Sequence, residues 1–235
     1  MLLTRAKYGI ILLMPSWNIH LEAGERLAPK LHFTPEKKRE FLVGCLLPDI
    51  NNGYINSPKF TYPHHDTHYA FDEKSSLNFY ADYSTKIREE DPIFLGYLFH
   101  LFVDGYFNYD FYRQAKHSPR LQNLDENQKR DIKHHDFWLF DTNFHHTLDL
   151  TAGLAKDFAN KANEIKIVDV TPEDLLEVDS ILKDNHLNDS ILGESYIFYT
   201  EESLNNLLKD VLDEFYYQYF EADLPGPNRK KEENA

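Results

Sequence analysis

Apolar residues recur along most of the chain at the three- and four-residue spacing of amphipathic helices, between short polar stretches rich in proline, glycine and asparagine. Alternation at every second residue, which is typical of half-buried strands, is scarce, so the pattern predicts an all-α fold. Thr34-Pro35, Asp91-Pro92 and Thr171-Pro172 each place an N-cap residue before a proline at the first helical position. We predict helices, with ends uncertain by a few residues, over about residues 17–28, 35–46, 70–88, 92–112, 125–139, 142–160, 172–183 and 201–220.

The composition is compatible with one domain. With 42% hydrophobic residues, 15 Tyr and 17 Phe, the 235-residue chain can bury a sizeable core. We expect a single multi-helix bundle over residues 14–224, with an irregular loop over residues 48–66 that carries ligands into the bundle. Residues 1–13 are expected to be an N-terminal extension, on the hypothesis that Met14 is the true start. Residues 225–235 combine helix breakers with charge and are expected to be disordered.

Charge, hydropathy and cysteine content make several classes of protein unfavourable. A formal net charge of -14 disfavours nucleic-acid binding and docking on anionic lipid, because both depend on Lys and Arg. No run approaches a transmembrane span, and the apolar run at residues 10–14 is too short for a signal peptide, so we expect a cytoplasmic protein. The single cysteine, Cys45, lies in an apolar segment and is expected to be a buried structural thiol.

The first candidate site is a histidine inside an apolar helix. His100 is the only residue between Ile93 and Val103 whose side chain ionises near neutral pH, and Asp104 follows it at the four-residue spacing that places both side chains on one helical face. A buried imidazole needs a polar partner. That partner is either a metal ion shared with Asp104 or the Asp104 carboxylate alone, in a structural hydrogen bond within the core.

Further histidines and acids extend this pattern. His145 and Asp149 repeat the four-residue spacing, although a solvated face explains that more polar segment equally well. Asp49 follows an apolar helix and Pro48, where an acid is either a metal ligand or a turn residue. Imidazole and carboxylate ligands together suit zinc, manganese or iron.

Four segments in this order resemble the zinc-dependent phospholipase C family, which is related in fold to P1-type nucleases. The segments are Met14-Pro15-Ser16-Trp17-Asn18-Ile19-His20, Gly44 to Pro48-Asp49-Ile50, Thr67-His68-Tyr69, and Gly96-Tyr97 with His100-Leu101 and Asp104. The resemblance covers roughly residues 14–150, and each segment alone is a weak signal.

The resemblance implies a first metal site made of two carboxylates and two imidazoles, namely Asp49, His68, His100 and Asp104. Asp104 would bridge to a second metal held by His20, and Asp49 would also assist as a catalytic base. Secreted members of the family bind metal through an amino-terminal tryptophan. Trp17 is not equivalent to that terminal tryptophan. If the chain starts at Met14 and this methionine is removed, the amine of Pro15 could bind the metal instead.

The resemblance also implies a third metal site. The family uses two histidines and an acid four residues after the second, which here suggests His145 and Asp149, with His134 or His135 as the remaining ligand. Asp149 stands where the family usually has glutamate, and its shorter side chain would shift or weaken that metal.

The activity implied is hydrolysis of a phosphate ester by a metal-activated water, with two or three zinc ions, or other divalent transition metals, per chain. The substrate would be a phosphate-ester small molecule or a phospholipid headgroup; the oligomeric state stays open. One alternative is an HD-type phosphohydrolase, suggested by His65-Asp66 and His135-Asp136, although Pro63 argues for a loop at the first pair. The other alternative is a metal-stabilised helical scaffold without catalysis.

Overall fold

The computed structural model describes residues 17–51, 61–70, 74–184, 191 and 193–221. These residues contain nine α-helices and no strand, which confirms the predicted all-α fold. The predicted N-terminal extension, the Met14 start and the predicted C-terminal tail lie outside the described residues. The helices are α1 (Trp17–Leu27), α2 (Pro35–Gly44), α3 (His64–Thr67), α4 (Ser75–Arg88), α5 (Pro92–His117), α6 (Glu126–Asp141), α7 (Ala152–Ala162), α8 (Pro172–Asp184) and α9 (Glu201–Tyr216).

Two short elements complete the described architecture. A 3₁₀ turn, Leu47–Asp49, follows α2, and a π-helical turn, Tyr217–Glu221, follows α9. None of the helices in the described part of the chain combines the length and the apolarity that crossing a bilayer requires.

The helix starts agree with the capping pattern in the sequence. The hydroxyl groups of Thr34 and Thr171 and the carboxylate of Asp91 each accept a hydrogen bond from a backbone amide in the first turn. These bonds satisfy amides that have no partner within the helix. The three predicted N-caps are therefore confirmed.

α5 is the centre of the bundle and contacts α1, α2, α4, α7 and α9. Its first three turns are buried almost all round, as the apolar sequence predicts. One continuous cluster of buried apolar side chains runs through the described helices, which confirms the single-domain bundle. Cys45 lies in this cluster, and burial raises the pKa of its thiol well above the usual value, so the prediction of an inert structural cysteine is consistent with its surroundings.

Two glycines allow α2 and α5 to touch through their backbones. A Cβ atom on Gly96 would overlap the carbonyl oxygen of Phe41, and one on Gly44 would overlap the carbonyl oxygen of Ile93. Both helices are therefore in direct main-chain contact at this crossing. As a result, the carbonyl of Cys45, at the end of α2, reaches a side chain of α5.

The predicted helix over residues 142–160 is wrong in its first half. Residues 144–150 are not helical, and α7 begins only at Ala152. The three successive backbone amides of residues 148–150 donate instead to the buried Asp179 carboxylate on α8, at 2.9, 3.1 and 3.0 Å. A carboxylate from another helix thus replaces the hydrogen bonds that a helix would supply, and local periodicity does not contain that information.

Of the loop predicted over residues 48–66, residues 52–60 lie outside the described residues, and the structure differs from the prediction at the end of the segment. Helix α3 begins at His64, directly after Pro63, whose φ of -61° and extended ψ suit a residue that precedes a helix. The expectation that Pro63 favours a loop over a helix here is therefore wrong. α5 also continues to His117, beyond the predicted end, and α4 begins at Ser75 rather than near residue 70.

We expect Gly96→Ala to destabilise the protein by about 3 kcal/mol, because the added methyl group must push two backbones apart. Gly105→Ala, on the same helix, is the control, since a Cβ atom there meets nothing within 4 Å. Removing a helical glycine at an open position should stabilise the protein by up to about 1 kcal/mol. Urea denaturation of both variants measures the difference, and equal effects would contradict the close crossing.

Asp179 should make the stability dependent on acidic pH. Burial raises the pKa of its carboxyl group, but Lys183 and the amides of Leu150 and Leu148 outweigh burial, so the net pKa is lowered. A carboxyl group whose pKa is lower in the folded state stabilises it above the unfolded pKa of about 3.9 and loses that contribution as the pH falls further.

We therefore expect Asp179→Asn to cost about 1–3 kcal/mol at neutral pH, with the gap to wild type shrinking below about pH 4. Urea denaturation across this pH range tests the expectation, with the exposed Asp184→Asn on the same helix as control. If the difference in free energy of unfolding between Asp179→Asn and wild type does not change with pH, the charge of Asp179 is not what holds residues 148–150.

Candidate metal centre

Six histidine and aspartate side chains from four elements meet inside the bundle. α1, the 3₁₀ turn, α3 with the residue after it, and α5 contribute them: His20, Asp49, His64, His68, His100 and Asp104. His64 is half-buried, and the other five are at most 4% exposed. Ionisable groups at this depth are retained only where hydrogen bonds, ion pairs or a metal compensate them.

The Gly96-Tyr97 pair of the sequence motif positions two ligand-bearing elements. Gly96 brings α2 close to α5, so that His100 Nδ1 donates to the carbonyl oxygen of Cys45 at 2.7 Å. The hydroxyl of Tyr97 donates to the carbonyl oxygen of Thr67 at 2.5 Å and fixes the end of α3 against α5. His68 follows directly, so its position depends on this bond.

The hydrogen bonds of His68 also determine its tautomer. Its Nδ1 lies 3.0 Å from the carbonyl oxygen of His64 and 3.0 Å from Thr67 Oγ1. The Thr67 hydroxyl donates its own proton to the His64 carbonyl, so it can only accept from His68. The Nδ1 atom of His68 therefore carries a proton, as does that of His100, and in the neutral rings both Nε2 atoms are acceptors.

These acceptor atoms converge on one point. His68 Nε2 and His100 Nε2 are 3.1 Å apart, and Asp104 Oδ2 lies 3.4 and 3.1 Å from them, respectively. When both rings are neutral, no proton lies between the two Nε2 atoms. Their lone pairs and the Asp104 carboxylate oxygen then repel one another unless they share a cation. A metal ion or an additional proton can be that cation.

The spacing of the atoms fits a metal. Asp49 Oδ1 lies 3.5 Å from His68 Nε2, which brings the fourth ligand of the predicted first site to the cluster. Ligands about 2.0–2.1 Å from a tetrahedral zinc ion are separated from one another by about 3.4 Å. The four separations between neighbouring ligand atoms, 3.1, 3.4, 3.1 and 3.5 Å, lie close to that value.

The electrostatics of the cluster also favour a cation. Burial raises the pKa of Asp104, but His100 and His20 outweigh burial and hold it far below its usual range. Burial lowers the pKa of His100, yet the Asp104 carboxylate outweighs that effect and raises it. Burial, followed by the neighbouring His64, lowers the pKa of His68 well below its usual value. Asp104 is therefore the anion around which positive charge gathers.

The second oxygen of Asp104 faces another candidate ligand. His20 Nε2 lies 3.2 Å from Asp104 Oδ1, and the His20 ring stacks on the His100 ring with centroids 3.8 Å apart. Asp104 thus contacts ligands on both of its oxygens, which is the geometry of a bridging carboxylate. Asp141 of α6 holds the start of α1, because its carboxylate accepts from Ile19 N at 3.1 Å and from the side chain of Asn18 at 3.0 Å.

The structure does not assemble the predicted third site. Among the described residues, none of its four candidates belongs to a group of three converging ligand atoms. His134 is buried on α6 beside the Trp138 ring, and His135 is bound to Asp136 and Glu194.

His145 and Asp149 do not share a helical face, since both lie in the non-helical segment before α7 and are exposed. Asp149 has a positive φ of 51° and its carboxylate lies 3.6 Å from Lys183 Nζ. Instead, the neighbouring His146 contacts Glu22 of α1 at 3.0 Å. The predicted four-residue pairing is therefore wrong because the helix that would create it is absent.

Neither pair of the HD alternative has the geometry of a metal site. His65 and Asp66 are exposed on the surface, 3.3 Å apart. The carboxylate of Asp136 is occupied by three successive backbone amides, those of residues 197–199, at 2.7, 2.7 and 2.8 Å. It anchors that segment to α6.

Sequence reasoning missed His64 as a candidate ligand. Its ring stacks on His68 with centroids 3.7 Å apart, and it forms a possible metal-binding group with His68 and Asp49. Burial lowers the pKa of His64 to about 4, so its imidazole is neutral and able to coordinate a metal at neutral pH. The four-residue spacing of His64 and His68 was the available signal, but the segment was predicted to be a loop.

Comparisons of the chain with protein-family models, with curated proteins and with solved structures find no match.

Proposed function

We propose that this chain is a metal-dependent phosphoester hydrolase, similar to zinc-dependent phospholipases C, whose metal centre lies between α1, α3 and α5. The observation that carries the proposal is the convergence of His68 Nε2, His100 Nε2 and Asp104 Oδ2 at 3.1–3.4 Å from one another, with Asp49 Oδ1 3.5 Å from His68 Nε2. The mixed imidazole and carboxylate set suits zinc, and also manganese or iron. The expected cytoplasmic location stays a prediction.

Two metal positions follow from the same contacts. Asp49, His68 and His100 would hold the first metal together with Asp104 Oδ2. His20 would hold the second together with Asp104 Oδ1. We therefore infer that two neighbouring metals would share the Asp104 carboxylate, and we expect two per chain.

Divalent metal in this centre would supply positive charge that polarises a phosphoryl oxygen and acidifies a water molecule. The backbone carbonyls of Cys45 and His64 hold the Nδ1 protons of His100 and His68, so both Nε2 atoms stay directed at the metal position. Asp49, on the 3₁₀ turn, is the carboxylate best placed to accept the proton of that water, since His20 and His100 occupy Asp104.

The alternative of a metal-stabilised scaffold is favoured by one observation, the depth of the cluster. Five of the six side chains are at most 4% exposed, as in structural metal sites that contribute to folding. A protein that binds metal, melts when the metal is removed and hydrolyses no phosphoester would fit this alternative.

We expect protein purified without chelator or affinity metal to contain two zinc ions, or equivalent divalent metals, per chain by elemental mass spectrometry. His100→Ala should lower this number, and His145→Ala is the matched control because His145 lies outside the cluster. Zinc at a thousandfold excess over its Kd should stabilise the metal-free protein by about 4 kcal/mol. If no metal binds after reconstitution, His100 and Asp104 are a core pair and the proposal fails.

Asp49→Asn should reduce phosphoester hydrolysis by about 1,000-fold. The substitution removes both a metal ligand and the proposed base, which together stabilise the transition state by several kcal/mol. The substitution is nearly isosteric, so circular dichroism should show an intact fold. Asp149→Asn removes a carboxylate from the unassembled third site and should keep activity within about twofold, because surface substitutions have small effects. The assay would use a chromogenic phosphodiester, a phosphomonoester and a short-chain phosphatidylcholine, and equal activity of both variants would contradict the assignment.

A further inference from the structure

A buried lysine lies next to the metal centre. Lys133 of α6 is 2% exposed, and its Nζ donates to the side-chain oxygen of Asn108 on α5. The side-chain nitrogen of Asn108 in turn donates to the backbone carbonyl of Asp104 at 2.8 Å. The ammonium group is thus two hydrogen bonds from the residue that bridges the two proposed metal positions.

No carboxylate of the described residues forms an ion pair with Lys133. Its Nζ also lies 5.3 Å from the centroid of the Tyr112 ring. Burial lowers the pKa of Lys133 to about 8, partly offset by the charge of Asp104. A buried ammonium without a paired anion is costly, and in a chain with a net charge of -14 the anions to pair it are abundant.

The neighbours of Lys133 continue one face of α5. Asp104, Asn108 and Tyr112 follow one another at four-residue spacing, so the face that bears the metal ligand leads directly to the residues that contact the lysine. Two of the three Nζ protons of an ammonium group remain for another acceptor after the bond to Asn108. The geometry therefore presents a cation and hydrogen-bond donors beside the metal centre.

We propose that Lys133 binds the phosphate group of the substrate, with its ammonium donating to a phosphoryl oxygen beside the metal centre. The inference rests on the proposed phosphoester hydrolase function and identifies which protein side chain takes the anion. Arginine or lysine commonly recognises phosphate through charge-assisted hydrogen bonds. In this chain Lys133 supplies a buried positive charge two hydrogen bonds from Asp104.

Inorganic phosphate is the probe, and its Kd for the metal-loaded protein is measured by titration calorimetry. Lys133→Met keeps a long side chain that tolerates burial and removes the charge. We expect the Kd of phosphate to rise by about 10- to 100-fold, the loss that one charge-assisted hydrogen bond represents. Metal content should remain that of the wild type, because Lys133 is not a ligand.

Lys129→Met is the matched control. Lys129 lies one turn earlier on α6, its Nζ pairs with Glu126 at 2.9 Å, and its removal changes the net charge by the same amount. Its phosphate Kd should stay within about twofold of the wild type, because a solvent-side ion pair contributes little.

A second variant keeps Lys133 and introduces a carboxylate that can form an ion pair with it. Asn108→Asp is nearly isosteric and places a carboxylate on the atom that Lys133 already contacts. It should also weaken phosphate binding, with metal content measured in parallel. Unchanged phosphate affinity in both Lys133→Met and Asn108→Asp, or no phosphate binding by the wild type, overturns the inference.

The outcomes separate this inference from the proposed function. Protein that binds metal but whose phosphate affinity does not depend on Lys133 retains the metal centre and loses the lysine assignment. Protein that binds no metal, yet binds phosphate through Lys133, loses the hydrolase proposal and retains the anion site.

Discussion

The backbone contact between Gly44 and Gly96 is the constraint on which the rest of the centre depends. It presses the end of α2 onto α5, which brings the carbonyl of Cys45 within 2.7 Å of His100. The same contact determines where the chain leaves α2 and therefore where the following turn presents Asp49. A packing feature between two apolar helices thus orients one ligand ring and delivers another ligand.

The interior of this bundle combines two requirements that usually conflict. Burial of apolar side chains stabilises the folded state. Each buried hydrogen-bond acceptor destabilises it unless a hydrogen bond or a cation compensates that acceptor. Here the backbone supplies acceptors for the outer ring nitrogens, and so aims the inner ones at one another. The polar cluster is consequently organised to share a cation, and its occupancy by a proton or by a metal changes the free energy of the whole domain.

Local patterns in the sequence were sufficient for the helical class, the three capped helix starts and the buried face of α5. His100 and Asp104 were predictable because their relation is one helical turn. Asp179, by contrast, holds a segment about thirty residues away, and Lys133 meets Asn108 across two helices. Such contacts depend on how the helices pack against one another, and the spacing of apolar residues in the sequence does not predict them. The helical pairing of His145 with Asp149 failed for the same reason, since it required a helix that a distant carboxylate replaces.

Helix α3 has only four residues, too few to be stable by itself, and it depends on the bond from Tyr97 to keep His68 in place. Two consecutive residues after it, Tyr69 and Ala70, have positive φ values of 52° and 73°, which side-chain-bearing residues rarely adopt. Release of this one turn would relieve that backbone strain and open the cluster while the long helices stay folded. If the centre binds metal as proposed, the rate at which ions enter and leave should therefore follow the local opening of α3 and be far faster than global unfolding.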